Sequence, residues 1–201
     1  MTQLLKVFGL LWIGMACATV TAHAGVFNIA QFVEPGLFAI GIEPEVIVTN
    51  GAGVGATVKY THGLNDLLNL QGLVGMGAGP RNFRVGANLI FDFFPDIDNQ
   101  PGMGIAVQGL FVTMPGYLFQ VEISGSPYIH KAFTVNGTEL NPFLAVPMGM
   151  SFSGGRYQFQ GTAALGAMFK PVESFRFTVE VGLGWLHTES YVSGGVTYYY
   201  R

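Results

Sequence analysis

The sequence predicts an all-β chain, an antiparallel up-and-down transmembrane β-barrel of about ten strands, preceded by a cleaved signal peptide. Three observations predict it. Charged residues make up 10% of the chain, against about 25% in ordinary soluble domains, while half of it is hydrophobic. From residue 37 onward apolar residues recur with a period close to two, interrupted by clusters of Gly, Pro, Asn and Asp. Past Ala24 no uncharged apolar stretch reaches the roughly 20 residues that a membrane-spanning helix needs. In lipid, only a closed barrel then satisfies every backbone N–H and C=O.

The leader comes first. Lys6 precedes the apolar run Val7 to Val20, and the small-residue site Ala22-His23-Ala24 follows. This layout reads residues 1–24 as a signal peptide removed on export. Cys17, the only cysteine, lies inside it, and the preceding Gly14-Met15-Ala16 lacks the Leu of a lipidation signal. The mature chain therefore has no disulfide framework and no thiolate metal site. Residues 25–36 read as a periplasmic N-terminal lead-in, and residues 37–201 as the barrel.

The strands follow in order at 37–48, 53–62, 68–78, 82–94, 102–113, 117–126, 142–152, 156–169, 174–186 and 190–200. Turn signals such as Thr49-Asn50-Gly51, Gly63-Leu64-Asn65-Asp66, Met114-Pro115-Gly116 and Ser153-Gly154-Gly155 join them. Merging the weaker segments gives eight strands, and counting Val26 to Val33 as one points towards twelve. The fourth strand is the clearest: Phe83, Val85, Ala87, Leu89, Phe91 and Phe93 lie on one face, and Arg84, Gly86, Asn88, Ile90 and Asp92 on the other. Aromatic residues gather near strand ends, as interfacial girdles require.

Charge gives an independent check on these registers. Glu43, Glu45, Lys59, Arg84, Asp92, Glu122, Arg176 and Glu180 all fall on the face opposite the apolar one. A Lys or Arg on the lipid face near mid-bilayer costs about 2–4 kcal/mol, which accounts for their exclusion. A soluble barrel would need a charged exterior, and the polar face here is mostly Gly, Ala, Ser, Thr, Asn and Gln.

With this alternation, the turn Gly63-Leu64-Asn65-Asp66 followed by Asn69-Leu70-Gln71, and the closing strand Gly195-Val196-Thr197-Tyr198-Tyr199-Tyr200, the chain resembles small bacterial outer-membrane β-barrel proteins of the porin-like or OmpA-type class over residues 37–201. The resemblance implies an outer-membrane location, outer-membrane lipid as surroundings, and the barrel-assembly machinery as a partner.

Other motifs are weak. Gly51-Ala52-Gly53-Val54-Gly55-Ala56 superficially matches a dinucleotide-binding loop, but residues 54–61 alternate as a strand where that fingerprint demands a helix. His62, His130 and His187 lack metal-ligand spacing, so no metal or cofactor is expected. Asn136-Gly137-Thr138 reads as a turn. The mature net charge is about −4, from 8 Lys and Arg against 12 Asp and Glu, with no basic stripe for nucleic acid.

The eight inward charges are the candidate functional cluster. Either they pair into a salt-bridged plug, or they line a narrow, slightly cation-preferring passage for small solutes or ions. The expected function is thus an envelope structural role or narrow porin-like passage, not an enzyme. A lipid-modifying hydrolase using His187 and Ser190 is one alternative and an adhesion or partner-binding barrel another. The longest connections, 95–101 and 127–141, fall at the end that holds both termini, where they offer a surface to a periplasmic partner.

Overall fold

The computed structural model describes residues 33–49, 52–78, 83–114 and 117–201. The signal peptide, most of the lead-in, and the turn residues Asn50, Gly51, Arg81, Pro115 and Gly116 lie outside them. The described chain is all β: β1 Phe38–Ile47, β2 Gly53–Asn65, β3 Leu68–Gly77, β4 Arg84–Phe94, β5 Gly102–Met114, β6 Tyr117–His130, β7 Phe133–Val135, β8 Thr138–Ala145, β9 Met148–Ser153, β10 Arg156–Val172, β11 Phe175–Leu186 and β12 Tyr191–Tyr200.

From β1 to β6 and from β9 to β12 neighbours in sequence pair antiparallel, β8 pairs with β6 and β10, and β12 returns to pair with β1, from Phe38 opposite Tyr200 to Ile47 opposite Tyr191. The sheet therefore closes, and no edge is left along the wall. Strands β8 and β9 both lie between β6 and β10 and form one stave. Counted by staves, the barrel has ten.

The expected seventh strand is broken at Val146-Pro147, because Pro147 has no N–H to give the ladder. The ladder is carried past the break by the Val146 N–H on the Pro127 carbonyl at 3.0 Å and the Thr162 N–H on the Pro147 carbonyl at 2.9 Å. The 127–141 connection is also more ordered than its composition implies. Strand β6 runs on to His130, and β7 and β8 form a hairpin turned by Asn136 and Gly137 at φ +51° and +77°. Those positive φ values are the signature of a two-residue hairpin loop. Residues 53–65 form a strand, so no helix follows the glycine run at 51–56.

The two faces of the wall are chemically inverted relative to a soluble protein. Valines, isoleucines and aromatics point outward and are exposed, among them Val58, Val107, Ile123, Val179 and Leu183. No Asp, Glu, Lys or Arg stands on the outward row of any described strand. Polar and charged side chains point inward and are buried. Such a surface is stable only where the surroundings are themselves apolar, as in a membrane-spanning barrel.

At the end holding the C-terminus, a continuous ring ladder runs Phe175, Tyr198, Tyr200, Phe38, Tyr60, with centroids 5.1 to 6.1 Å apart. This is the geometry of an interfacial girdle. The residues before β1 tuck back beneath it. Val33 is fully buried, and the Gly36 N–H donates to the Gly63 carbonyl at 3.0 Å.

Candidate functional site

The lumen is built from the inward rows of all ten staves, and its charges fall into separate groups. On the β1–β4 side, Lys59 pairs with Glu43 at 2.5 Å. Arg84 reaches across β3 to pair with Glu45 and also donates to the Thr57 hydroxyl at 2.5 Å. It can do so because the residue beside it on β3 is Gly75; a side chain there would collide with the guanidinium.

On the opposite side Glu122 accepts from Gln120 at 2.7 Å, and Glu180 accepts from the Tyr191 hydroxyl at 2.5 Å. Nearer the termini, Asp92 stands 4.0 Å from His130, whose ring contacts Asn141 at 3.3 Å. Arg176 is placed elsewhere. It is half-buried at the mouth, 4.6 Å over the Tyr199 ring, and donates to the Glu173 carbonyl at 2.8 Å. It caps the β10–β11 turn and stacks on an aromatic face, where the seven others are buried along the wall.

Glu189 is a further buried acid, just before β12. Its signal was parity: it lies two residues before Tyr191 and extends the inward row of β12 by one step.

Apolar groups fill much of the remaining lumen. Ile90, Ala106, Tyr128, Ala145 and Ala164 form one cluster and Leu73, Leu110 and Val112 another, while Phe143 packs on Met168. One rule governs this filling: a large inward side chain stands directly across the ladder from a glycine. The pairs are Gly75 with Arg84, Gly86 with Leu110, Gly104 with Tyr128, Gly166 with Phe143 and Gly182 with Tyr191. At each glycine an added Cβ would collide with the partner's side chain. Small-against-large pairing is how a barrel too narrow for two bulky rows becomes filled.

Gly104→Val therefore has an expected cost at or above the usual 1–3 kcal/mol of overpacking, since its Cβ would also strike the Phe91 carbonyl, a backbone atom that cannot move aside. The check is the fraction of refolded, heat-modifiable barrel, with the outward Val107→Ala as control.

The result is a closed interior. Asn69, Gln120, Ser126, Ala106 and Ala164 each have 0% of their surface within reach of water, and Thr162 has 1%. In an open, water-filled lumen these inward residues would be wetted. A small cavity between Gln108, Glu122, Gln160 and Thr162 holds about 20 Å³, room for about one water.

Outside the wall, Lys131 pairs with Asp96 and donates to the Asp98 carbonyl at 2.6 Å, and the Ala132 N–H donates to Asp96 at 2.6 Å. These bonds tie the 95–101 connection to the end of β6. Slight burial works against the Asp96 charge, but the Ala132 and Lys131 hydrogen bonds outweigh it and hold the carboxyl below its ordinary value.

His187 and Ser190 are engaged with backbone. The His187 ring contacts the Phe159 carbonyl at 3.2 Å, and the Ser190 hydroxyl accepts from the Gly184 N–H at 3.1 Å. No group of three or more potential metal ligands occurs among the described residues.

No family model and no curated protein matches the chain. Among solved structures, an outer-membrane channel from Pseudomonas putida F1 is similar at 9% identity and a TM-score of 0.48, covering 87% of this chain and 100% of that one. The KdgM porin is similar at 11% identity and a TM-score of 0.40, over 81% of this chain and 99% of that one. The attachment invasion locus protein Ail of Yersinia pestis, solved with a heparin analogue, stands at 12% identity and a TM-score of 0.33, over 82% of this chain and 97% of that one.

Proposed function

We propose that the protein is a non-enzymatic structural barrel of the outer membrane, closed to solutes along its axis. The observation that carries this reading is the inaccessible lumen interior: Ala106, Ser126 and Ala164, all well inside their strands, are fully buried. The interlocking glycine seats and the two charge pairs on β1–β4 support a lumen that stiffens the wall and passes nothing. A narrow conduit would need a continuous wet path with weak, multiple sites along it. The placement of His187 and Ser190 on separate backbone partners favours the non-enzymatic reading over a lipid hydrolase.

The location follows from the export leader expected over residues 1–24 and the apolar exterior, with the barrel-assembly machinery as the folding partner. The ordered 95–101 connection and the β7–β8 hairpin, tied together through Lys131 and Asp96, form the surface on which a periplasmic partner would dock.

The test is a planar-bilayer recording of refolded protein. The expected result is a membrane whose conductance stays at its protein-free level after insertion is verified by heat-modifiable migration. Steady single-channel steps would overturn the closed-lumen reading, and their loss of cation preference in Glu122→Gln or Glu180→Gln would place the passage among those acids.

A further inference from the structure

The wall is not uniform at the end far from the termini. Strand β10 runs from Arg156, but its pairing with β11 begins only at Gly161, opposite Leu186. Residues 156–160 pair with β9 alone, so the β9–β10 hairpin overhangs a neighbour that has already stopped. The chain then turns at His187, whose φ of +48° is a left-handed conformation that non-glycine residues seldom adopt. Two side chains of this turn bridge part of the gap: His187 to the Phe159 carbonyl at 3.2 Å, and Thr188 to the Gly161 carbonyl at 2.6 Å.

A cleft of about 470 Å³ lies in this gap. Its lining comes from both faces of the sheet. Ser153 and Gln158 belong to inward rows, while Tyr157 and Phe159 belong to the outward row, 69% and 55% exposed. In an intact sheet successive residues point to opposite sides and cannot line one cavity. Here they do, so the cleft is a notch through the rim, open sideways to whatever surrounds the barrel. Its apolar lining residues are Tyr157, Phe159 and Leu186. Arg156 is the only Asp, Glu, Lys or Arg among its lining residues, and it is exposed. Ser153 Oγ and Gln158 Oε1 are buried there without a hydrogen-bond partner among the described residues.

We propose that this notch is a binding site for a phospholipid of net negative charge in the surrounding leaflet, its acyl chain against Tyr157 and Phe159 and its phosphate, uncompensated by a headgroup cation, at Arg156. An acyl chain matches the apolar, laterally open part. A guanidinium matches a phosphate in charge and in its paired N–H geometry. Aromatic rings at a strand end sit at the depth where headgroup meets hydrocarbon. The site rests on the membrane-spanning reading of the barrel and adds to it a selective lipid contact on one side of the wall.

Trp185 reports on the site, because its indole lies against Gly161 at the notch's edge, and Trp12 in the leader is the only other tryptophan. The full chain carrying Trp12→Phe is refolded into phosphatidylcholine bilayers containing a minor fraction of lipid brominated on its acyl chains, as either phosphatidylglycerol or phosphatidylcholine. The Trp185 quenching curves give the relative affinity of each lipid for the site.

Brominated phosphatidylglycerol is expected to be favoured about twofold to fivefold, the scale of one charge contact at a solvent edge. Arg156→Gln removes the preference, and Lys170→Gln, a cation at the other end of the barrel, leaves it intact. Equal quenching by the two lipids in the unsubstituted protein overturns the site, as does a preference that survives Arg156→Gln or disappears in Lys170→Gln. Quenching by neither lipid would show that the outward face does not meet hydrocarbon, and would overturn the membrane reading along with the site.

Discussion

Replacing Arg84 by Ala is expected to destabilise the barrel by about 3–5 kcal/mol, the range for removing one partner of a buried ion pair. Glu45 keeps its carboxylate in the lumen, where its side chain is 0% exposed and loses the guanidinium charge that stood against it. Thr57 loses the same donor. The cost comes chiefly from the charge left behind, so the double variant Glu45→Gln with Arg84→Met should recover most of it. A urea titration of the refolded protein in bilayers, read by heat-modifiable migration, checks both. Equal losses in the single and double variants would show that the pair contributes by its packing alone.

The second large effect concerns the opposite face. Val107 stands outward at the middle of β5, and its neighbour Gln108 points into the lumen. Val107→Arg is expected to cost about 2–4 kcal/mol if that position faces the bilayer midplane. In a soluble protein an exposed Val→Arg change would fall within about 0.5 kcal/mol. Arg substitutions at Val58, Val107 and Tyr200, compared in the same titration, should therefore show a cost that falls towards the aromatic girdle at Tyr200. A flat, small cost across the three positions would contradict a lipid-facing wall.

The staves were legible in the sequence because a two-faced strand repeats its chemistry every two residues. Ten runs of alternation became ten staves, and the rule that charges avoid the apolar row holds along every described strand. Local turn chemistry was equally legible, as at Asn136-Gly137 and Ser153-Gly154-Gly155.

What the sequence did not disclose depends on how strands are placed side by side. That Arg84 meets Glu45, three staves away, follows from ladder register and from the absence of a side chain at Gly75. Parity alone could not supply it. Arg176 has the same parity as Glu180, yet it stands at the mouth over Tyr199, because its strand has only just begun. Ile90 shares its face with Arg84, Asn88 and Asp92, and Ala106 and Ala164 lie on inward rows beside Gln108 and Thr162. Assembled, they form an apolar cluster that closes the lumen. The break at Pro147 and the overhang of β10 beyond β11 are likewise consequences of pairing partners, and the notch at Arg156 arises from them.

The central claim is a lipid-facing outer row around a packed, dry lumen, and adjacent positions of β11 test both halves together. Single cysteines at Val179 and Thr178, in a chain with Cys17→Ser, are reconstituted in bilayers and treated with a water-soluble or a lipid-soluble maleimide. The predicted result is labelling of Val179→Cys by the lipid-soluble reagent alone and of Thr178→Cys by neither. Rapid labelling of Thr178→Cys by the water-soluble reagent would contradict the packed lumen, and such labelling of Val179→Cys would contradict the membrane-facing wall.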